Sequence, residues 1–299
     1  MGRMNTIADL HTHSTASDGT LAPAALLERA AAVGLRVLAL TDHDTTDGLA
    51  EAQVAARSNG ITLVPGVEVS VTWGGRTIHI VGLNIEPHHP NLRQGLEGLV
   101  AFRDWRAEEI GRRLTKQGIE GAYAGAKALS NGRLIGRTHF ARFLIGRRLA
   151  TDERDCFRRF LVNGKPGHVP GAWASLEEAL GWISAAGGQA VIAHPARYKL
   201  TRTRLLRLLG EFRELGGAGL EVVCGSHGRD DAYNFARHAR EQRLLASAGS
   251  DFHGPQLSVS ARPWIGLGRL PPLPDGCTPI WQDWPALADA LPALNVAVA

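Results

Sequence analysis

Short apolar runs that end on histidine or aspartate and then give way to a helical pattern recur along this chain, and few architectures accept that rhythm. TIADLH is followed by PAALLERAAAVG, RVLALT by DGLAEAQVAARSNG, QAVIAH by a Leu/Arg-rich stretch over residues 201–215, and GLEVVC by DDAYNFARHAREQ. LLASAG supplies a further apolar run. Repeated strand–helix units predict a parallel sheet, and this many predict an α/β barrel. In such a barrel the functional side chains collect at the C-terminal ends of the strands.

Those ends are polar here. DLHTHS, at residues 9–14, sets His11 and His13 two apart, so on a strand both imidazoles face one side at chelating distance. Taken alone, such a pair is equally a core imidazole beside a loop imidazole. The other strand ends argue for chelation: RVLALT runs into Asp42-His43-Asp44, AVIA into His194-Pro195, EVVCGS into His227, and LASAGS into Asp251-Phe252-His253. EVSVTW and RTIHIVGL, joined by Gly74-Gly75, read as a hairpin with a two-residue turn. Trp73 then pairs with Arg76, and alternation puts Glu68, Ser70, His79 and Val81 on one face.

Collected with Asp18, these positions give His11, His13, Asp18, His43, Glu68, His79, His194, Asp251 and His253, which include six of the twelve histidines, three carboxylates and no thiolate. Mixed imidazole and carboxylate donors suit manganese, iron or zinc, whereas a structural zinc site normally recruits cysteine. Nine donors exceed the needs of one ion. Two or three ions per chain are expected, with Glu68 as the bridging carboxylate. Manganese is the first expectation, with iron, zinc and magnesium as alternatives.

The alternation breaks over residues 99–165, where 15 Lys and Arg face 7 Asp and Glu for a net charge of +8 in a chain of net charge +4. This segment is expected to be an inserted, mostly helical cap subdomain, and residues 1–98 and 166–299 the barrel domain. Its charge fits either a solvated helical face or a surface that attracts polyanions. Phe102, Trp105, Phe140, Phe143, Phe157 and Phe160 lie among its arginines at spacings that suit a helical core at least as well as a nucleic-acid face.

Composition narrows the setting. Cys156, Cys224 and Cys277 are widely spaced and form no C-x-x-C pair, which favours a reducing, cytoplasmic environment over a disulfide framework. MGRMNTIADL lacks the apolar core of a signal peptide, and no run of about 18 apolar residues suggests a membrane span. Met1-Gly2 followed by Thr6 matches a myristoylation pattern only loosely, and an apolar strand pattern follows almost at once. Neither a membrane nor an obligate protein partner is expected.

In chain order, DLHTHS, TDHD (41–44), GVEVS (66–70), AHP (193–195) and SDFH (250–253) resemble the successive motifs of the PHP superfamily, the polymerase and histidinol phosphatase group. The resemblance spans nearly the whole chain. The cap motif GRTHFAR (136–142) is most similar to that of the bacterial branch containing nucleoside 3′,5′-bisphosphate phosphatases and RNase AM. It implies a distorted (β/α)7 TIM-like barrel and a trinuclear site. One ion would lie on His11, His13, Glu68 and Asp251, a second on Glu68, His79 and His194, and a third on Asp18, His43 and His253.

The implied activity is a phosphoric monoester hydrolase that removes the 3′-phosphate of a nucleoside 3′,5′-bisphosphate by attack of a metal-bridging hydroxide. Glu68, His43 and His253 are then the catalytic candidates, either histidine being able to protonate the leaving oxygen. Arg137 and His139 of the cap motif, with Arg106 and His227, are candidates for binding substrate, and Lys165 is a weaker one. Three alternatives stand beside this reading. They are a 5′–3′ exoribonuclease acting on short single-stranded RNA, a histidinol phosphate phosphatase, and a non-catalytic, metal-stabilised scaffold that binds nucleic acid. The basic cap argues against the amine-bearing histidinol phosphate.

Overall fold

The computed structural model describes residues 8–130, 134–255 and 266–284. The expected start of the first strand at Thr6, the lipidation pattern and the tail beyond residue 284 lie outside the described residues. Seven strands form one sheet in chain order: β1 (Ala8–Asp9), β2 (Val37–Leu40), β3 (Thr62–Trp73), β4 (Arg76–Leu83), β5 (Gln189–Ile192), β6 (Gly219–Cys224) and β7 (Leu245–Gly249). Neighbours are parallel except around β4, which runs antiparallel to both β3 and β5. The sheet curls into a nearly closed barrel. The Leu10 N–H donates to the Ala248 carbonyl at 3.1 Å, and Thr12 bridges Phe252 in parallel register, so the first and last strands meet.

The hairpin has the predicted register. Trp73 pairs with Arg76, Ser70 with His79 and Glu68 with Val81. Gly74 and Gly75 both have positive φ, 53° and 75°, as a type I′ turn between right-twisted strands requires. β3 is longer than expected because its first residues, Thr62 to Pro65, pair in parallel with β2 before the strand turns to β4.

Helices cover the barrel: α1 (Pro23–Ala32), α2 (Leu49–Asn59), α3 (Pro90–Thr115), α7 (Leu176–Ala185), α8 (Arg202–Glu214) and α9 (Arg229–Gln242). Each buries an apolar stripe against the strands. In α7 these are Leu176, Ala179, Leu180 and Ile183, and its start is set by a capping box between Ser175 and Glu178. Among the described residues, no helix is long and apolar enough to cross a membrane.

The cap consists of the end of α3 with α4 (Ala122–Leu129), α5 (Arg137–Gly146), α6 (Glu153–Cys156) and one π-turn at Phe157–Leu161. It has its own core of Ala107, Ile110, Leu114, Phe140, Leu144, Cys156 and Leu161. Phe143, Phe157 and Phe160 pack against that core, whereas Trp105 is 54% exposed. α3 begins at Pro90, well before residue 99, because proline suits a first helical turn. Leu92, Leu96 and Leu99 of α3 belong to the barrel core, and Ala107, Ile110 and Leu114 to the cap core, so one continuous helix joins the two.

Candidate metal centre

At the C-terminal mouth of the barrel, buried donors converge on the Glu68 carboxylate, which is fully buried on β3. Its Oε1 lies 2.9 Å from His79 Nδ1 and 2.8 Å from His194 Nε2. Its Oε2 lies 2.8 Å from His43 Nδ1, 3.3 Å from His13 Nε2 and 3.4 Å from His11 Nε2. Five histidines from four separate stretches of sequence thus surround one carboxylate. Asp251 Oδ1 completes the group near His11 and His13, at 3.6 and 3.3 Å. On the other side Asp18 Oδ1 approaches His253 Nε2 at 3.2 Å and His43 Nε2 at 3.9 Å.

All nine predicted donors are therefore neighbours. Three sets have ligand atoms within 4.8 Å of one another: His11, His13, Glu68 and Asp251; His43, Glu68 and His79; and His13, Asp18, His43 and His253. This partition differs from the expected one. His43 and His13 each serve two sets because both rings reach past Glu68 toward Asp18, and His194 meets the cluster through Glu68 alone.

The donor set fits divalent ions. Glu68 Oε2, Asp251 Oδ1, Asp18 Oδ1 and His43 Nδ1 are buried and lack hydrogen-bond partners of adequate geometry. So many unsatisfied buried polar atoms at one point are costly for a fold unless they hold something. The backbone is unusual at the site as well: Asp44, His194 and Asp251 take positive φ of 52°, 29° and 55°, a conformation uncommon for non-glycine residues.

Electrostatics follow from this crowding. Burial acts to raise the Glu68 pKa, but the His43, His79 and His11 imidazoles outweigh it and hold the carboxylate well below its ordinary range. Burial likewise opposes ionisation of Asp251, and Arg197 overcomes it, its Nη1 lying 2.8 Å from Asp251 Oδ2. His194 is pushed down to about 4 by burial and then by Arg197, which keeps it a neutral imidazole at neutral pH. His13 goes the other way. Hydrogen bonds to Asp251 and Glu68 outweigh its burial and raise it to about 10.

A pH dependence follows from His13. A histidine raised in the folded state contributes stability that is fully present below its ordinary 6.5 and is lost as pH rises through about 10. Divalent ions need the same ring unprotonated. The rise in melting temperature on adding Mn2+ to chelator-treated protein is therefore expected to grow from about pH 6.5 to about pH 9. Paired thermal melts with and without the ion check this, and a gain that shrinks with pH would contradict it.

The cluster opens into a cavity of about 940 Å³ roofed by the cap. Arg103, Arg106, Arg137, Arg154 and Arg158 line it together with Asp18, His43, His79 and His253. The guanidinium of Arg137 stacks over Phe157 at 5.4 Å and has no hydrogen bond or ion pair among the described residues. Burial and the neighbouring Arg103 lower its pKa. Arg106 also lines the cavity, but its Nε and Nη2 donate to the Val169 carbonyl at 3.1 and 2.9 Å, so much of its donor capacity is already used.

Two sequence candidates lie elsewhere. His139 is buried and its Nδ1 accepts the Gly136 N–H at 3.0 Å, closing the first turn of α5. His227 is buried, bonds to the Val222 carbonyl and stacks on Phe235. Neither lines the cavity, because each ring turns into the packing of its own helix. The rest of GRTHFAR ties the cap to the barrel. Thr138 Oγ1 donates to Asp18 Oδ2 at 2.6 Å, and Arg142 Nη2 to the Asp18 carbonyl at 2.5 Å.

Sequence reading missed Arg103, Arg197, Thr138, Arg142 and Glu221, all of which contact the ligand set or its loops. Glu221 had one signal, an acid inside the apolar run GLEVVC. Thr138 and Arg142 stood inside the motif GRTHFAR without being singled out, and Arg103 and Arg197 had no signal, since basic residues are ordinary on helices and turns.

Comparison with known proteins agrees with this architecture. Residues 9–161 match the model of the PHP domain. A protein from Chromobacterium violaceum named 3′,5′-nucleoside bisphosphate phosphatase is 49% identical over 276 residues, covering 92% of this chain and 95% of that protein. The 5′–3′ exoribonuclease Rnm of Escherichia coli is 43% identical over 280 residues, 93% of this chain and 94% of its own length. A solved structure of an amidohydrolase from Chromobacterium violaceum, with bound sulfate and no metal, superposes with a TM-score of 0.87 at 46% identity, covering 98% of both chains.

Proposed function

The chain belongs to the PHP domain family of metal-dependent phosphoesterases, and from that premise we propose that it hydrolyses the 3′-phosphate of nucleoside 3′,5′-bisphosphates. The observation that carries this reading is the shared cavity, which is lined both by Asp18, His43, His79, Asp251 and His253 of the donor set and by the unpaired Arg137. A substrate with two phosphates on one ribose matches that polarity. The related phosphatase from Chromobacterium violaceum carries the same substrate class in its name.

His11, His13, Glu68 and Asp251 would hold one ion, Glu68, His79 and His194 a second, and Asp18, His43 and His253 a third. Divalent ions there would supply Lewis acidity toward a phosphoryl oxygen and bring the pKa of water toward neutrality; manganese is the ion we expect. Arg137 would grip the 5′-phosphate through its free guanidinium edge, as a fork of donors suits a phosphate. Arg103 and Arg106 add positive potential beside it. The 3′-phosphate is then directed at the donor wall. His43 and His253 both line the cavity beside Asp18, and whichever ring keeps a nitrogen off the ions would deliver a proton to the departing 3′-oxygen. The cap, residues 99–165, acts in this reading as the recognition element. A cytoplasmic setting goes with it, since Cys156, Cys224 and Cys277 are buried free thiols.

Phosphate release tests the proposal. With Mn2+ supplied, a nucleoside 3′,5′-bisphosphate is expected to turn over faster than a nucleoside 5′-monophosphate or histidinol phosphate. Equal rates on all three would remove the case for a second phosphate site. The name of the Escherichia coli relative favours a second reading, removal of nucleotides from the 5′ end of short RNA. A short 5′-phosphorylated RNA in the same panel decides it. Replacing Arg137 by alanine is expected to cost about 2–3 kcal/mol in kcat/KM on the bisphosphate beyond any loss on a simple aryl phosphate, the scale of a lost charge-assisted contact. Equal losses on the two substrates would mean that Arg137 supports the fold.

A further inference from the structure

Glu221 sits in the middle of β6 with only 2% of its surface exposed, in a strand whose other residues are apolar or glycine. A buried carboxylate needs partners, and this one has two, both belonging to the ligand set. Its Oε1 lies 2.8 Å from His11 Nδ1, and its Oε2 accepts the backbone N–H of His194 at 2.5 Å. An ionised carboxylate only accepts hydrogen bonds. Whatever charge the His11 ring carries, Nδ1 therefore bears a proton, and the nitrogen free to offer a lone pair is Nε2. That atom faces His13 Nε2 at 3.1 Å, Glu68 Oε2 at 3.4 Å and Asp251 Oδ1 at 3.6 Å.

The second contact acts on the backbone. His194 has φ of 29° and ψ of 56° directly after β5, and its N–H points back into the barrel at Glu221. The surroundings are shaped for this arrangement. A Cβ on Gly249 would lie 2.2 Å from His11 Cβ and 3.0 Å from Glu221 Oε1, so only glycine on β7 lets the imidazole and the carboxylate meet.

We infer that Glu221 is a positioning residue for the metal centre: it fixes His11 as the Nδ1–H tautomer with Nε2 toward the ligand cluster, and it holds the His194 turn that places the second imidazole. The inference rests on the metal-centre reading. Carboxylates that orient ligating histidines in this way typically change metal affinity by about 10- to 100-fold when removed. Glu221→Ala is expected to weaken Mn2+ binding by that factor. Glu221→Gln is nearly isosteric but can accept from only one of the two N–H groups while turning its own NH2 toward the other, so its affinity should fall between wild type and Glu221→Ala.

Chelator competition on the full chain measures the affinities with Mn2+ as the probe. Nitrogen NMR of the imidazoles in Zn2+-loaded wild-type protein supplies a readout that a merely structural role would not move: His11 should show a protonated Nδ1 and a metal-bound Nε2. Wild-type affinity in both variants, or metal on His11 Nδ1, would overturn the inference. Should Glu221→Ala fail to fold, the glutamine variant and the NMR spectrum decide. Wild-type protein that takes up neither ion would overturn the metal centre itself, a distinct result from variants that bind as well as wild type.

Discussion

Glu68→Gln is expected to reduce Mn2+-dependent phosphate release by at least about 10³-fold, roughly 4 kcal/mol of transition-state stabilisation, and to lower the bound metal by at least one ion per chain. The geometry sets this scale. Glu68 alone lies within 3.4 Å of His11, His13, His43, His79 and His194, and it belongs to two of the three donor sets. His13 and His43 are also shared by two sets, but as neutral ligands; Glu68 is the only shared donor that carries negative charge, and its loss takes that charge from two sets together. The glutamine keeps the side-chain volume in a fully buried position, so the loss reports chemistry rather than a cavity. Elemental analysis and initial rates on the same preparation check it. A Glu68→Gln protein with full metal and more than about a tenth of the wild-type rate would remove Glu68 from the centre of the site.

Arg103→Ala is expected to destabilise the folded protein by about 3–5 kcal/mol, the usual cost of leaving one member of a buried ion pair alone. Arg103 leaves the cap-bearing helix α3 and reaches into the barrel, where it bonds Asp44 Oδ2 at 2.6 Å and Ser70 Oγ at 3.0 Å. The side chains of Arg103 and Asp44 are 8% and 0% exposed, so solvent screens the pair little. Asp44 also accepts the Ser70 N–H at 2.6 Å, and it follows His43 in the chain with φ of 52°. The latch therefore fastens the cap to the loop that carries a cluster imidazole. Urea unfolding of wild type, Arg103→Ala, Asp44→Ala and the double variant measures the coupling. The double variant should be less damaged than the sum of the singles, because it leaves no buried charge unpaired. A loss below about 1 kcal/mol in Arg103→Ala would show the pair to be dispensable.

Much of the molecule follows from local rules of the chain. The strand–helix rhythm announced the barrel, and Gly74-Gly75 announced the register that puts Glu68 and His79 on one face, because side-chain alternation depends on nothing beyond the strand itself. The donors were legible for the same reason. His11, His13, His43, His194, Asp251 and His253 follow the ends of β1, β2, β5 and β7, which a barrel brings to one mouth whatever the packing details, whereas Glu68 and His79 lie within β3 and β4 and were placed by the hairpin register.

The structure alone decided how those donors are shared and held. His43 and His13 reach two sets each because their rings project past Glu68 toward Asp18, a matter of side-chain direction in a closed barrel. His139 and His227 were candidates by position, yet both rings satisfy their own helix or strand backbone, and only the folded packing shows which way a ring turns. Arg103 and Arg197 looked like ordinary surface cations in the sequence, and Arg142 closed the cap motif with no sign of its partner. Their partners, Asp44, the Asp18 carbonyl and Asp251, are 54 to 124 residues away along the chain. Glu221 meets His11 across 210 residues, a contact made only when β6 and β7 close against β1. Alternation and spacing act over a few residues and can be read from them, whereas the partner of a buried charge is chosen by closure of the barrel, which no local pattern encodes.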